Sequence, residues 1–282
     1  MSLLASIPRA IFRLKDQWKH FRTLRAVRSF QVRSGHFGAA VRHPDWLLIL
    51  TVVVSLIAIG FLFVDQAAGH WKSTISPQTY AFFRTLTEVG KSEFLLVPAA
   101  LAILLLGLLS WDHLPRSAKA VLTNYQLLGL YAFVAVAGSG ISNNLFKMAI
   151  GRARPRHFDT LGPFHFDPPG LSSGFQSFPS GHSTTAGAMA VIFLLLFPRL
   201  KWIWLGLGLW VAASRVIVGA HYPSDTVAGF AYGASFAWLL ALWFANRRLL
   251  FRGEKGLIRL PSSRPLAISK LLKALHFLRH KA

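Results

Sequence analysis

Six long apolar stretches, divided by short polar breaks, set the pattern of the chain. They run from Trp46 to Val64, Phe94 to Trp111, Val121 to Ile150, His182 to Phe197, Trp202 to Val218 and Thr226 to Ala245. Each is near the ~20 residues an α-helix needs to cross a hydrocarbon core of about 30 Å, and the third is long enough to cross and protrude. The pattern therefore predicts an all-α fold, a polytopic six-transmembrane-helix bundle. Ahead of the first span, Ile7, Ile11, Leu14, Trp18, Phe21 and Leu24 recur at three- and four-residue steps, with Arg9, Arg13, Lys19, Arg22, Arg25 and Arg28 crowding the rest of the surface. This is the pattern of a basic amphipathic helix lying on a membrane surface; a partly disordered arm and an Arg-rich transit peptide are the alternatives. The charged stretch is too long, and the first apolar run too far in, for a secretory signal peptide. Between the first two spans, Tyr80, Phe82, Phe83, Leu86 and Val89 are spaced like a surface helix. That helix is either a lid at the bilayer surface or a loop packed for structure alone.

Composition narrows the class. With 53% hydrophobic and only 15% charged residues, the chain is too apolar for a soluble domain of 282 residues. The net charge of +21 is concentrated at the ends, since 19 of the 31 Lys and Arg fall in residues 1–42 and 247–282. Three segments follow: a basic cytoplasmic N-terminal segment over 1–42, one membrane domain over 43–246, and a basic cytoplasmic tail over 247–282. Basic segments flanking apolar spans favour anionic lipid headgroups over nucleic acid. There is no cysteine, so no disulfide framework, thiolate nucleophile or thiolate metal site. Oligomeric state is not legible.

Both tails and the short connections bearing Arg116, Lys119, Arg199 and Lys201 fall on one side of a six-span bundle. By the positive-inside rule that side is the cytoplasm. The connections at 65–93, 151–181 and 219–225 then face outward, where Arg152, Arg154 and Arg156 break the rule and call for another reason to be there.

The outer breaks carry chemistry. Lys147, Arg154 and Arg215 bring three cations to one face, and no carboxylate near them in sequence neutralises all three. Arg forks and a Lys point charge suit phosphate oxygens. Ser180-Gly181-His182 opens the fourth span, where free amides and a glycine make an anion seat; alternatively Ser180 is a simple N-cap. His221 and Asp225, four apart at the start of the sixth span, are spaced so that the carboxylate reaches one ring nitrogen and leaves the other as a nucleophile. His182 can pass a proton to a leaving oxygen.

Lys147-x6-Arg154-Pro155, Pro179-Ser180-Gly181-His182 and Ser214-Arg215-x5-His221-x3-Asp225 together resemble the three-part signature of the type 2 phosphatidic acid phosphatases, a superfamily shared with vanadium haloperoxidases. All three parts are present in order, within residues 46 to 245. The resemblance implies a six-helix membrane enzyme with its site at the outer, periplasmic surface. It implies that His221 attacks phosphorus to form a phosphohistidine while Asp225 orients it. By the same resemblance His182 protonates the leaving group and then activates water, and Lys147, Arg154, Ser180, Gly181 and Arg215 hold the phosphoryl oxygens. No metal or other cofactor is required. The pairs His157/Asp159 and His165/Asp167 have the composition of a divalent-ion site, but they sit in a Pro- and Gly-rich loop where a headgroup contact by Arg156 is the preferred role.

The expected function is a lipid phosphatase acting on a phosphate monoester or diphosphate. Isoprenoid diphosphate, phosphatidic acid, phosphatidylglycerol phosphate and lipid A phosphates all fit. A phosphotransferase using the same intermediate and a non-catalytic lipid-binding protein are the alternatives. The lack of any Asn-x-Ser/Thr acceptor and the short connections lean toward a bacterial inner membrane.

Overall fold

The computed structural model describes residues 17, 45–71, 74–111, 114–247, 249–254, 257–260 and 268–280, and these are almost wholly helical. Helix α1 spans Trp46–Trp71, started by Asp45, whose carboxylate accepts from the Leu48 amide at 3.2 Å. Its middle, Gly60–Val64, is a π-helical turn. The apolar pattern places the end of this helix at Val64, before an acidic residue. It continues for another two turns because the Asp65 charge is matched internally, as described below. Leu47, Leu48, Leu56 and Phe63 stay exposed around α1, as on a helix solvated by lipid.

Helix α2 (Pro77–Glu88) begins at Ser76, whose hydroxyl accepts from the Thr79 amide, and carries Pro77 where an N–H would be unsatisfied anyway. It is the helix expected from the Tyr80–Val89 spacing. After it come α3 (Glu93–Leu108), α4 (Arg116–Ile150), α5 (Gly181–Leu196), α6 (Lys201–Ile217) and α7 (Pro223–Asn246). A two-stranded antiparallel ribbon, β1 (Arg252–Glu254) and β2 (Leu257–Arg259), and a last helix α8 (Ile268–His280) follow. Among the described residues, five helical runs are long and apolar enough to cross a membrane: α1, Pro77–Leu108, α4, Pro198–Ile217 and α7. The remaining apolar helix, α5, has 16 residues, which is about 24 Å of rise.

The chain packs as two compact units. One holds Gln17 and the described residues of 97–133 and 240–280. Its core joins Leu106, Trp111, Leu114, Ala118 and Leu122 to Ala274 of α8, and Tyr131 packs edge-on against Phe244 and Phe251. The amphipathic segment expected over residues 3–30 lies outside the described residues except for Gln17. Its amide donates to the carbonyls of Leu106, Gly107 and Leu109 at the end of α3, where helical carbonyls run out of partners.

The other unit holds the described residues of 45–96 and 134–239. In it α5 and α7 touch backbone to backbone: a Cβ on Gly229 or Gly233, one helical turn apart, would collide with the carbonyl of Ser180 or Thr184, and one on Gly187 with that of Phe230. Small residues at helical spacing permit this approach where no hydrophobic effect drives helices together. Helices α5 and α6 lie against each other across the Pro198–Leu200 turn, and α2 packs on α6. At the end of α4 the chain reverses at Gly151, φ 64°, where a Cβ would strike Asp167 and Pro168. The segment that follows is tied down by backbone hydrogen bonds from Ala153 to His165, Arg154 to Gly174 and Ser177 to Arg152, each donor named first.

Candidate active site

All the residues singled out by sequence lie in this second unit, at the helix ends around residues 151–181. Lys147 occupies the last turn of α4, Ser180, Gly181 and His182 open α5, Arg215 stands in the last turn of α6, and His221 and Asp225 bracket the start of α7. The structure brings them together. Lys147 Nζ lies 3.2 Å from where a Cβ on Gly181 would sit, within electrostatic reach of Arg154, Arg215 and Asp225. His182 is likewise within reach of Arg215, His221 and Lys147.

His221 is buried, and its Nδ1 is 2.8 Å from the Ser177 carbonyl oxygen. A carbonyl only accepts, so Nδ1 carries the hydrogen and Nε2 keeps its lone pair. The four-residue spacing to Asp225 suggests a direct carboxylate contact, but Asp225 Oδ2 stands 3.7 Å from Nδ1. The closest partner comes instead from the loop before α5, at a position with no spacing signal relative to His221. Ser177 joins the two, because its hydroxyl donates to Asp225 Oδ2 at 2.6 Å. Burial pushes the His221 pKa down to about 4, with Asp225 only partly opposing. The ring is therefore neutral at pH 7, the form a nucleophile needs.

Behind this pair is a network that sequence reasoning missed. Arg152, Asp65 and Asp225 are all 0% exposed. Arg152 donates to Asp225 Oδ1 at 2.5 Å, Asp65 Oδ2 at 2.7 Å, Ser224 Oγ at 2.7 Å and the Pro163 carbonyl, and its guanidinium lies over the rings of Phe61 and Tyr222. Asp65 also accepts from the Ser224 amide and hydroxyl. Two carboxylates thus share one guanidinium, leaving one negative charge beside His221. The available signal was Asp65 at the end of an apolar helix and Arg152 on the side the charge rule forbids. An ionisable residue at membrane depth calls for a partner.

The other cations are not used up in this way. Among the described residues, the Arg215 side chain has one hydrogen bond, to the Thr87 hydroxyl of α2 at 2.8 Å, and that of Arg154 a long one of 3.3 Å to the Gln176 carbonyl; the Nε of each is buried with no partner among them. Burial, with Arg156 close by, holds the Arg154 pKa below its ordinary value. Ser180 is the N-cap: its hydroxyl oxygen accepts from Ser183 Oγ at 3.0 Å and its amide donates to the Asp225 carbonyl at 3.0 Å. Cap and seat are compatible, because Ser180 takes up the Ser183 amide while the hydroxyl proton and the Gly181 and His182 amides remain to be offered to an anion. Asn143 fixes this turn by donating to the Pro179 carbonyl and accepting from Thr184.

Arg156 is exposed beside Ser173 and donates to His157 Nε2, while His157 stacks on Phe175. That nitrogen is engaged, and among the described residues no three His, Asp or Glu side chains gather in a group able to hold a metal ion.

Cations with unspent donors thus gather within electrostatic reach of a neutral imidazole at the ends of apolar helices. The PAP2 superfamily pattern matches residues 128–249, which carry Lys147, Arg154, Arg215, both histidines and Asp225. The chain is 39% identical over 208 residues to the lipid A 1-phosphatase of Rhizobium johnstonii (73% of this chain, 84% of that protein). It is 38% identical over 210 residues to the lipid A 1-phosphatase of Rhizobium etli (73% and 88%). It is 31% identical over 209 residues to the undecaprenyl-diphosphatase of Sulfolobus acidocaldarius (71% and 87%). The chain belongs to the PAP2 superfamily, as the motif resemblance implied, and is a multi-pass membrane lipid phosphatase, a phosphoric monoester hydrolase.

Proposed function

We propose that the protein removes the phosphate from a lipid A-type glycolipid through a phosphohistidine formed on His221. The observation that carries the mechanism is the His221–Ser177 hydrogen bond, which commits Nδ1 as donor and leaves Nε2 free. Nε2 attacks phosphorus, the P–O bond to the lipid breaks, and the leaving oxygen takes a proton from His182, which holds that proton as imidazolium once the phosphate anion is bound beside it. Lys147, Arg154, Arg215, Ser180 and the Gly181 amide hold the equatorial oxygens as charge builds, each donor contributing a few kcal/mol. The phosphorylated ring is cationic, and the spare negative charge of Asp65 and Asp225 offsets it. His182 then takes a proton from water, the oxygen attacks phosphorus, and the P–N bond breaks to release inorganic phosphate. Every positive group in this scheme is a side chain or a backbone amide, so turnover is expected to persist in chelator.

Identity of 38–39% to two lipid A 1-phosphatases supports the choice of substrate. Arg156, exposed beside Arg154, is placed to meet the headgroup. The membrane domain of residues 43–246 crosses six times, α5 included. Both basic ends lie in the cytoplasm against anionic lipid and the site faces the periplasm of a bacterial inner membrane, as the loop charges indicate.

The test is phosphate release from lipid A, an isoprenoid diphosphate and phosphatidic acid, in detergent with chelator, using wild type, His221→Ala and Asp225→Asn. Expected are a preference for lipid A, loss of turnover in His221→Ala, and a partial loss in Asp225→Asn. Radiolabelled phosphate should be trapped on protein, labile to acid and stable to base. Full activity of His221→Ala would overturn the mechanism, and phosphate passed to a second lipid instead of water would make the protein a phosphotransferase.

A further inference from the structure

A partly open apolar groove lies between α5 and α6, capped by the turn after α2 and walled by Val211, Ala186 and Leu207. Its upper end is Gly90, where a Cβ would sit 3.5 Å from His182 Cδ2 and 2.6 Å from Val211 Cγ1. Gly90 therefore lines the groove and stands beside the His182 ring, so this end of the groove adjoins the site. Its lower end is Phe193 stacked on Trp204, ring centroids 4.9 Å apart. From His182 to Phe193 is eleven helical steps of α5, about 16 Å.

We infer that this groove receives one hydrocarbon chain of the lipid whose phosphate is cleaved, and that the Phe193–Trp204 pair limits its useful length. The inference rests on the phosphatase reading above. In phosphoryl transfer the attacking and leaving atoms stand roughly in line through phosphorus. With His221 attacking, the lipid-bearing oxygen departs on the side of His182, and it is there that the apolar groove opens. The leaving lipid thus lies on the side where the groove opens, and one of its hydrocarbon chains has the groove within reach. Extended carbons advance about 1.25 Å each for bonds near 1.5 Å, so the groove holds roughly a dozen before the aromatic floor.

The experiment measures kcat/KM for straight-chain alkyl monophosphates of increasing length, monomeric in water, with the protein held in amphipol. In wild type, kcat/KM is expected to rise about fourfold for each methylene that leaves water, and to level off at roughly a dozen carbons, where the floor is reached. Phe193→Ala opens the floor and moves the plateau to longer chains, a gain that misfolding does not produce. Val211→Phe fills the mouth and flattens the ratio of long-chain to short-chain turnover, a ratio in which any general loss of active protein cancels. Length dependence identical in all three proteins, or absent in wild type while short alkyl phosphates are still hydrolysed, overturns the groove and leaves the phosphatase reading standing. Failure of wild type to release phosphate from any of these compounds, or from lipid A, refutes both.

Discussion

Asp65 and Arg152 are 87 residues apart in the chain and meet at 2.7 Å with both side chains fully buried. The pair links the far end of an apolar helix to the carboxylate beside His221, because the same guanidinium binds Asp225. Charges taken out of water survive only when partnered. Their order of importance follows from which partner is removed.

Arg152→Met strands two carboxylates at once, whereas Asp65→Asn keeps the Arg152–Asp225 pair and an oxygen for Ser224. The first is expected to cost about 3–5 kcal/mol of stability and the second clearly less. Thermal unfolding in detergent checks this, and the reverse order of melting temperatures would contradict the network.

The His221 pKa lies at about 4 against 6.5 for a free imidazole. Its folded value being the lower, the unfolded chain takes up the proton first. The stability held by neutral His221 is complete above about 6.5, and declines as pH falls from there through about 4. The imidazole nitrogen shift of His221, identified by its loss in His221→Gln, should move with a midpoint near pH 4. A midpoint close to 6.5 would contradict the burial seen here.

Two glycines separate turnover from folding. Gly181→Ala puts a Cβ 3.2 Å from Lys147 Nζ, the end of a flexible side chain, so the protein should fold while kcat drops about tenfold as the ammonium is displaced. Gly233→Ala drives a Cβ into the Thr184 carbonyl and should cost about 1–3 kcal/mol, since rigid backbone must move. Kinetics and melting measured on both variants test the contrast.

Arg215 is held by Thr87, on a helix that carries none of the motif residues. Arg215→Ala should lower kcat by about 10²–10³, the scale of a lost transition-state donor. Thr87→Val should lower it by about tenfold, the scale of one hydrogen bond. If α2 acts through Arg215, the double variant should be no worse than Arg215→Ala alone. Additive losses would assign Thr87 a separate role.

Local sequence determined the apolar helices, their order and the positions of the three-part motif, because hydrophobic length and caps are properties of consecutive residues. Span ends were legible to within a few residues, from Gly181 at the start of α5 to Ile217 at the end of α6. The exception, Asp65, shows the limit: a charge terminates an apolar run unless something distant neutralises it. Only the tertiary structure paired it with Arg152, turned the Ser177 carbonyl onto His221 and laid Thr87 against Arg215. Each of these contacts joins positions 44 to 128 residues apart, and no periodicity along the chain encodes a hydrogen bond made across it.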